Sequence, residues 1–194
     1  MLAVRHSFFT EEEYLRRERE SADKNEYFQG SILAMAGGSL RHNRLCSRLN
    51  FALCSHLAGK PCQPSSSDQR VMTPGRLYTY PDVAVFFGII EVSPGTSDVA
   101  TNPTVIVEVL SDSTREYDTG GKLEAYKGIP SVRHVILAEP DEARIVVVSR
   151  SGKRWTKAEC AGLDAVLKLS AIGLEIPLLE IYAGIVGPDG PLPV

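Results

Sequence analysis

Val105-Ile106-Val107-Glu108-Val109-Leu110 is the most β-prone stretch of the chain, and one carboxylate stands inside it. A near-continuous apolar run of this length suits a strand covered on both faces by other elements. A carboxylate there loses its hydration and is costly unless it is paired or bound to a metal. Glu108 is therefore either a functional acid or a structural one, salt-bridged or turned to solvent at a strand end.

Upstream, Asp82-Val83-Ala84-Val85-Phe86-Phe87 is a second apolar run. Pro81 ahead of it fits the first residue of a strand, where no ladder N–H is needed. Asp82 alone reads as a turn or strand cap. If the two strands are neighbours, however, both carboxylates converge, and two hard oxygen ligands suit Mg²⁺ or Mn²⁺. Downstream, Asp112 or Ser113 is predicted to cap a helix that carries Leu123 and Tyr126 inward and stops at Gly128-Ile129-Pro130. Lys122 lies on that helix. Packed back over the sheet, its ammonium would orient a water or stabilise a pentacovalent phosphate; an i,i+4 pair with Asp118 explains it equally well.

Farther out, Thr10-Glu11-Glu12-Glu13 reads as a capping box for a helix to about Ser21. Glu26-Tyr27-Phe28 and Ile32-Leu33-Ala34-Met35 flank Gln29-Gly30-Ser31 as a hairpin, and Glu26 is a further acid candidate of weaker standing. Ser39 is placed to cap a second helix with Leu45, Leu49, Leu53 and Leu57 on one stripe, ended by Gly59 and Pro61. Arg41, His42 and Arg44 open this helix, where basic side chains and a helix N-terminus can hold phosphate; a solvated helix face is the even alternative. Asp68, within Ser65-Ser66-Ser67-Asp68-Gln69-Arg70, is either another oxygen near the sheet edge or a turn acid. Gln69-Arg70-Val71-Met72 and His134-Val135-Ile136-Leu137-Ala138 read as strands. The latter pairs through a Pro140-Asp141-Glu142 turn with a strand over residues 145–149. Trp155, an alternating Val166-Leu167-Lys168-Leu169 piece and a short helix over residues 178–182 complete the chain, with a frayed tail from about Gly187.

The order of helices and strands fits an α/β fold with a central mixed β-sheet flanked by helices. The 194 residues make one domain (residues 1–194) with a sizeable core; two would be cramped. A net charge of −3 argues against a general-purpose DNA coater and leaves room for a local basic patch. No apolar run reaches membrane-spanning length and no leader precedes the first helix, so a cytoplasmic protein is expected. Cys46, Cys54, Cys62 and Cys160 contain no CxxC pair, so no zinc site is expected, and a chain of this size with few cysteines is not expected to carry a disulfide framework. Cys46 and Cys54 read as small hydrophobes on one helix.

Tyr80-Pro81-Asp82, then Val107-Glu108-Val109-Leu110-Ser111-Asp112-Ser113-Thr114, then Tyr117-Asp118-Thr119-Gly120-Gly121-Lys122 together resemble a bacterial family of uncharacterised restriction-endonuclease-like proteins in the PD-(D/E)xK nuclease superfamily. Glu26-Tyr27-Phe28-Gln29-Gly30, Met35-Ala36-Gly37-Gly38-Ser39, Arg41-His42-Asn43 and Ser66-Ser67-Asp68 extend the resemblance, which covers roughly residues 9–185. It implies the restriction-endonuclease-like fold, with Pro81-Asp82 as the first half of the motif and Glu108 as its second acid. The standard pattern places lysine two residues after that acid. Leu110 stands there, and Lys122 on the following helix is its implied substitute. At Ser31 related sequences often carry an acid, and this departure puts any role of the first hairpin in doubt. The resemblance also implies a homodimer.

The expected activity is Mg²⁺- or Mn²⁺-dependent hydrolysis of DNA phosphodiesters. Asp82 and Glu108 would hold the metal, Lys122 would act on the water or the developing charge, and Arg41, His42 and Arg44 would contact backbone phosphates. The alternatives are a nuclease-fold module for DNA binding or assembly, with weak or no cleavage, and hydrolysis of a smaller phosphoester.

Overall fold

The computed structural model describes residues 8–35, 37–187 and 190–193. Helix α1 (Glu11–Glu20) is capped by the Thr10 side chain, which accepts the Glu13 N–H. A hairpin of β1 (Asn25–Phe28) and β2 (Ser31–Ala34) follows, then α2 (Leu40–Leu57), capped by Ser39. Next come β3 (Cys62–Ser66), β4 (Arg70–Met72), β5 (Tyr78–Thr79), β6 (Val83–Phe87), β7 (Val99–Ala100) and β8 (Val105–Val109). Helices α3 (Arg115–Thr119) and α4 (Gly121–Lys127) lead into β9 (His134–Ala138), β10 (Arg144–Ser151) and β11 (Arg154–Ala161). The chain closes with β12 (Val166–Leu169), β13 (Leu174–Pro177), α5 (Leu178–Ile181), β14 (Val186–Gly187) and β15 (Gly190–Pro191).

The central sheet has six strands in the order β11-β10-β9-β8-β6-β3 and is mixed: β8 and β9 run parallel and the other pairs antiparallel. The period-two geometry of a strand divides β8 between two cores. Val105, Val107 and Val109 join Leu45, Leu49, Leu53 and Leu57 of α2, together with β12, β13 and α5. Ile106 and Leu110 pack on the other face with Leu123 and Tyr126 of α4. Glu108 occupies the position between Ile106 and Leu110 in that second file.

A second sheet, β2-β1-β5-β4-β7, has no counterpart in the sequence reading. It is pinned by Tyr14, Tyr27 and Tyr78, with Tyr14 and Tyr27 stacked at 5.0 Å between ring centroids. Its hairpin turns on two residues, Gln29 and Gly30, both at positive φ as a tight antiparallel turn requires.

Three expectations are corrected. The single helix after Glu108 is two, joined at Gly120, and Thr114 stands at the first N-cap without a side-chain capping bond, rather than Asp112 or Ser113. Strands β3 and β11 were not expected. The tail beyond Gly187 is not frayed where it is described: β14 pairs with β15, and Leu192 N–H donates to Ile185 O. Residues 188, 189 and 194 of that tail, and Ala36 of the resemblance, lie outside the described residues. No described helix is long and apolar enough to cross a membrane.

Candidate active site

The β6–β8 ladder sets Val83 opposite Val107, so one residue farther Asp82 falls opposite Glu108. The strands are neighbours, as the convergence of the two acids required. The Val109 N–H donates to Asp82 Oδ2 at 2.8 Å and fixes that carboxylate across the end of β8. Its other oxygen, Oδ1, faces His42 Nε2 at 3.4 Å. Burial works against the Asp82 charge, but the histidine, the Val109 N–H and the Lys122 ammonium outweigh it and hold the carboxyl below its usual range.

Glu108 is 4% exposed. Its Oε1 accepts from Tyr126 OH at 2.6 Å and lies 3.0 Å from Lys122 Nζ. Burial nevertheless dominates. It pushes the Glu108 carboxyl up to about 8, against the opposing pull of the Lys122 ammonium and the Tyr126 hydroxyl.

Lys122 reaches this spot because α4 packs across the sheet face that carries Glu108. Its ammonium touches three carboxylates: Glu108, Glu26 Oε1 at 3.1 Å and Asp118 Oδ1 at 3.6 Å. The i,i+4 pair with Asp118 is present, and the same ammonium also reaches Glu108. Burial opposes its charge, and these acids outweigh that and hold the amine well above its ordinary value.

Glu26 arrives from the smaller sheet. The pairing of Tyr27 with Tyr78 brings β1 beside β5, where Thr79 Oγ1 donates to Glu26 Oε1. Tyr117 OH donates to its other oxygen at 3.0 Å. The weaker acid candidate is thus fully part of the cluster, even with serine at position 31.

These groups line the floor of a cavity of about 880 Å³. Arg41, His42, Ser111 and Arg115 lie along it, with Leu33, Met35 and Leu40 at one side. Arg41 is committed to Asp141 at 3.0 Å and to Leu192 O at 3.1 Å. Arg115 makes a two-pronged bond to Glu139, both contacts 2.7 Å. His42 turns to Asp82 rather than standing free.

Two candidates are not brought to the site. Arg44 is exposed on α2 and is not among the cavity-lining residues. Asp68 is a turn acid whose side chain is 83% exposed and paired with Lys24 at 2.6 Å. Sequence reasoning missed Tyr126 as a partner of Glu108, although its i,i+4 spacing from Lys122 puts both on one helix face. It also missed Cys46, which lies one turn after His42 and beside Asp82.

By charge the acids suit a hard divalent cation, whereas the group of three donors lying within 4.8 Å of one another among the described residues is His42, Cys46 and Asp82. Four carboxylates, Glu26, Asp82, Glu108 and Asp118, share the site with one lysine and one histidine, an acidic excess that a divalent ion would balance.

Two uncharacterized proteins of Synechocystis sp. are relatives across nearly the whole chain. One is 34% identical over 90% of this chain and 91% of its own length, the other 31% identical over 88% and 97%. A crystal structure from Anabaena variabilis, described as "a putative nuclease belonging to DUF820", superposes with a TM-score of 0.73 at 18% identity, covering 90% of this chain and 98% of that one. The mixed α/β architecture is therefore shared with that protein. Residues 11–179 match the family model Uma2, "Putative restriction endonuclease", and the chain belongs to that family.

Proposed function

We propose that the chain is an endonuclease that hydrolyses DNA phosphodiester bonds with Mg²⁺ or Mn²⁺ held by Asp82 and Glu108. One observation carries the reading: Asp82 stands opposite Glu108 on paired strands, with Lys122 Nζ 3.0 Å from Glu108, on the floor of an open cavity. The family description and the fold shared with the Anabaena protein support it.

When bound, the metal supplies a water of lowered pKa and neutralises charge on the phosphate. The protein's own groups do the rest. Asp82 is ionised and oriented by the Val109 N–H, ready as a ligand without rearrangement. Glu108 would be the second ligand, its ionised form favoured by the cation's charge. Lys122, held charged by its three acids, presents fixed positive charge toward an oxyanion developing in the cavity. Arg41 and His42 line the cavity, where a phosphate backbone would be positioned without its sequence being read.

The reading places the enzyme in the cytoplasm, acting as a homodimer. Strand β11 supports the dimer. Among the described residues it pairs only with β10, leaving one edge of an eight-residue strand open to a second copy.

A second reading, a nuclease-fold module that binds without cleaving, is favoured by one feature. Both cavity arginines, Arg41 and Arg115, are already paired with acids and offer little free charge to DNA. A plasmid-nicking assay across Mg²⁺ and Mn²⁺ separates the two. Metal-dependent nicking that disappears in Asp82→Asn and in Lys122→Ala is expected. Intact supercoiled plasmid under every condition, or undiminished nicking by Asp82→Asn, rejects the nuclease.

A further inference from the structure

Helix α2 carries His42 and Cys46 one turn apart, so both side chains fall on one face. That face meets the loop entering β6, where Asp82 stands. One donor atom from each of the three, an imidazole nitrogen, a thiol sulfur and a carboxylate oxygen, lies within 4.8 Å of the other two. His42 Nε2 is already 3.4 Å from Asp82 Oδ1. The other ring nitrogen, Nδ1, is buried with no hydrogen-bond partner. Cys46 is half-buried and packs against the core beneath α2, with its sulfur within 4.8 Å of an Asp82 carboxylate oxygen.

We propose that His42, Cys46 and Asp82 form a second metal position, selective for a thiophilic divalent cation of the Zn²⁺ class rather than for Mg²⁺. Nitrogen, sulfur and one carboxylate oxygen make a borderline-soft donor set. Mg²⁺ binds thiolate poorly, whereas Zn²⁺ accepts all three donors and keeps a fourth position for water or an anion. On coordination the Cys46 S–H bond is replaced by a sulfur–metal bond, and the proton leaves to solvent. Glu108 is not a member of this group, but Asp82 belongs to both sets. Zn²⁺ and a hard cation therefore compete for one carboxylate, and the soft ion excludes the hard one. The absence of a CxxC pair does not bear on this site, because it uses a single cysteine with a histidine one helical turn away.

The site stands on its own donors whether or not the chain cleaves DNA, and its test needs no activity. Co²⁺, a spectroscopic stand-in for Zn²⁺, is titrated into the full chain while the near-ultraviolet sulfur-to-cobalt charge-transfer band is recorded. One equivalent of band, displaced by Zn²⁺, is expected in the wild type. Cys46→Ser, nearly isosteric, loses it although Cys54, Cys62 and Cys160 remain. His42→Ala weakens Co²⁺ binding about tenfold or more, since even indirect partners of a metal ligand act on that scale. Glu108→Gln keeps the band, which separates this site from the hard-oxygen one. No band in the wild type, a band that survives Cys46→Ser, or unchanged affinity in His42→Ala overturns the proposal.

Discussion

Lys122 Nζ lies 3.1 Å from Glu26 and 3.0 Å from Glu108, so one ammonium ties the smaller sheet to the central one. The lysine side chain is 6% exposed and its acid partners are no more than 7% exposed, so the pairs are made with little direct screening by solvent. Removing one member of a buried pair strands the charges of the others. Lys122→Met is therefore expected to lower the unfolding free energy by about 3–5 kcal/mol, read from urea denaturation. A loss inside the ~1 kcal/mol typical of an exposed pair would show that water reaches the acids.

Glu108 makes stability depend on pH in a definite direction. Its folded-state pKa, about 8, exceeds the ordinary 4.5, so the fold prefers the protonated carboxyl. That contribution is fully present below 4.5 and is lost as pH rises through about 8. Measured against Glu108→Gln, the wild type should lose relative stability steadily across this window. A metal needs the charged carboxylate, so Mn²⁺ affinity should rise across the same window and level off above it. Flat profiles for both quantities would show that Glu108 is already ionised at neutral pH.

Asp82, Glu108 and Lys122 are legible in the sequence because each sits beside or within an apolar pattern that it breaks or completes. Glu108 interrupts a run of valines, and Asp82 follows a proline that marks a strand start. Other parts depend on contacts that no local pattern encodes. Cys62-Gln63-Pro64-Ser65-Ser66 has no apolar alternation and contains a proline. It is a strand only because it lies at the sheet edge along β6, where a missing N–H is tolerated. Glu26 reaches Lys122 through the Tyr27–Tyr78 pairing, a contact between segments far apart in the chain. Arg44 shows the opposite failure: a basic residue at a helix start looks like a phosphate ligand, but its place on the helical wheel turns it to solvent.

Tyr126 is a core aromatic with a polar duty. Its hydroxyl donates to Glu108 at 2.6 Å and lies 3.4 Å from Thr79 Oγ1, inside a fully buried pocket. The bond favours the charged carboxylate, so Tyr126→Phe should move the Glu108 transition to still higher pH. Leaving a buried acceptor short of one donor should also cost about 1–3 kcal/mol. The two effects separate a positioning role from simple packing. Phenylalanine keeps the ring and its apolar contacts, so an unmoved Mn²⁺ pH profile would mean that the hydroxyl does not govern Glu108.

Gly120 decides where Lys122 stands. A Cβ built there would sit 2.7 Å from the Glu116 carbonyl oxygen, too close for any side chain unless the backbone moves. Glycine thus allows α3 to stop and α4 to restart at a new angle, with Tyr117 and Asp118 on one side of the joint and Lys122 on the other. In Gly120→Ala the helices must part or rotate. Overpacking of this kind costs about 1–3 kcal/mol, seen as a lower urea midpoint. The shift also draws Lys122 away from Glu26 and Glu108. Any nicking activity should therefore fall more than in a Gly152→Ala control, a strained turn remote from the cavity whose added Cβ meets no neighbour. Equal activity in the two variants at matched folded fraction would mean that the joint sets stability alone and that the lysine finds its acids without it.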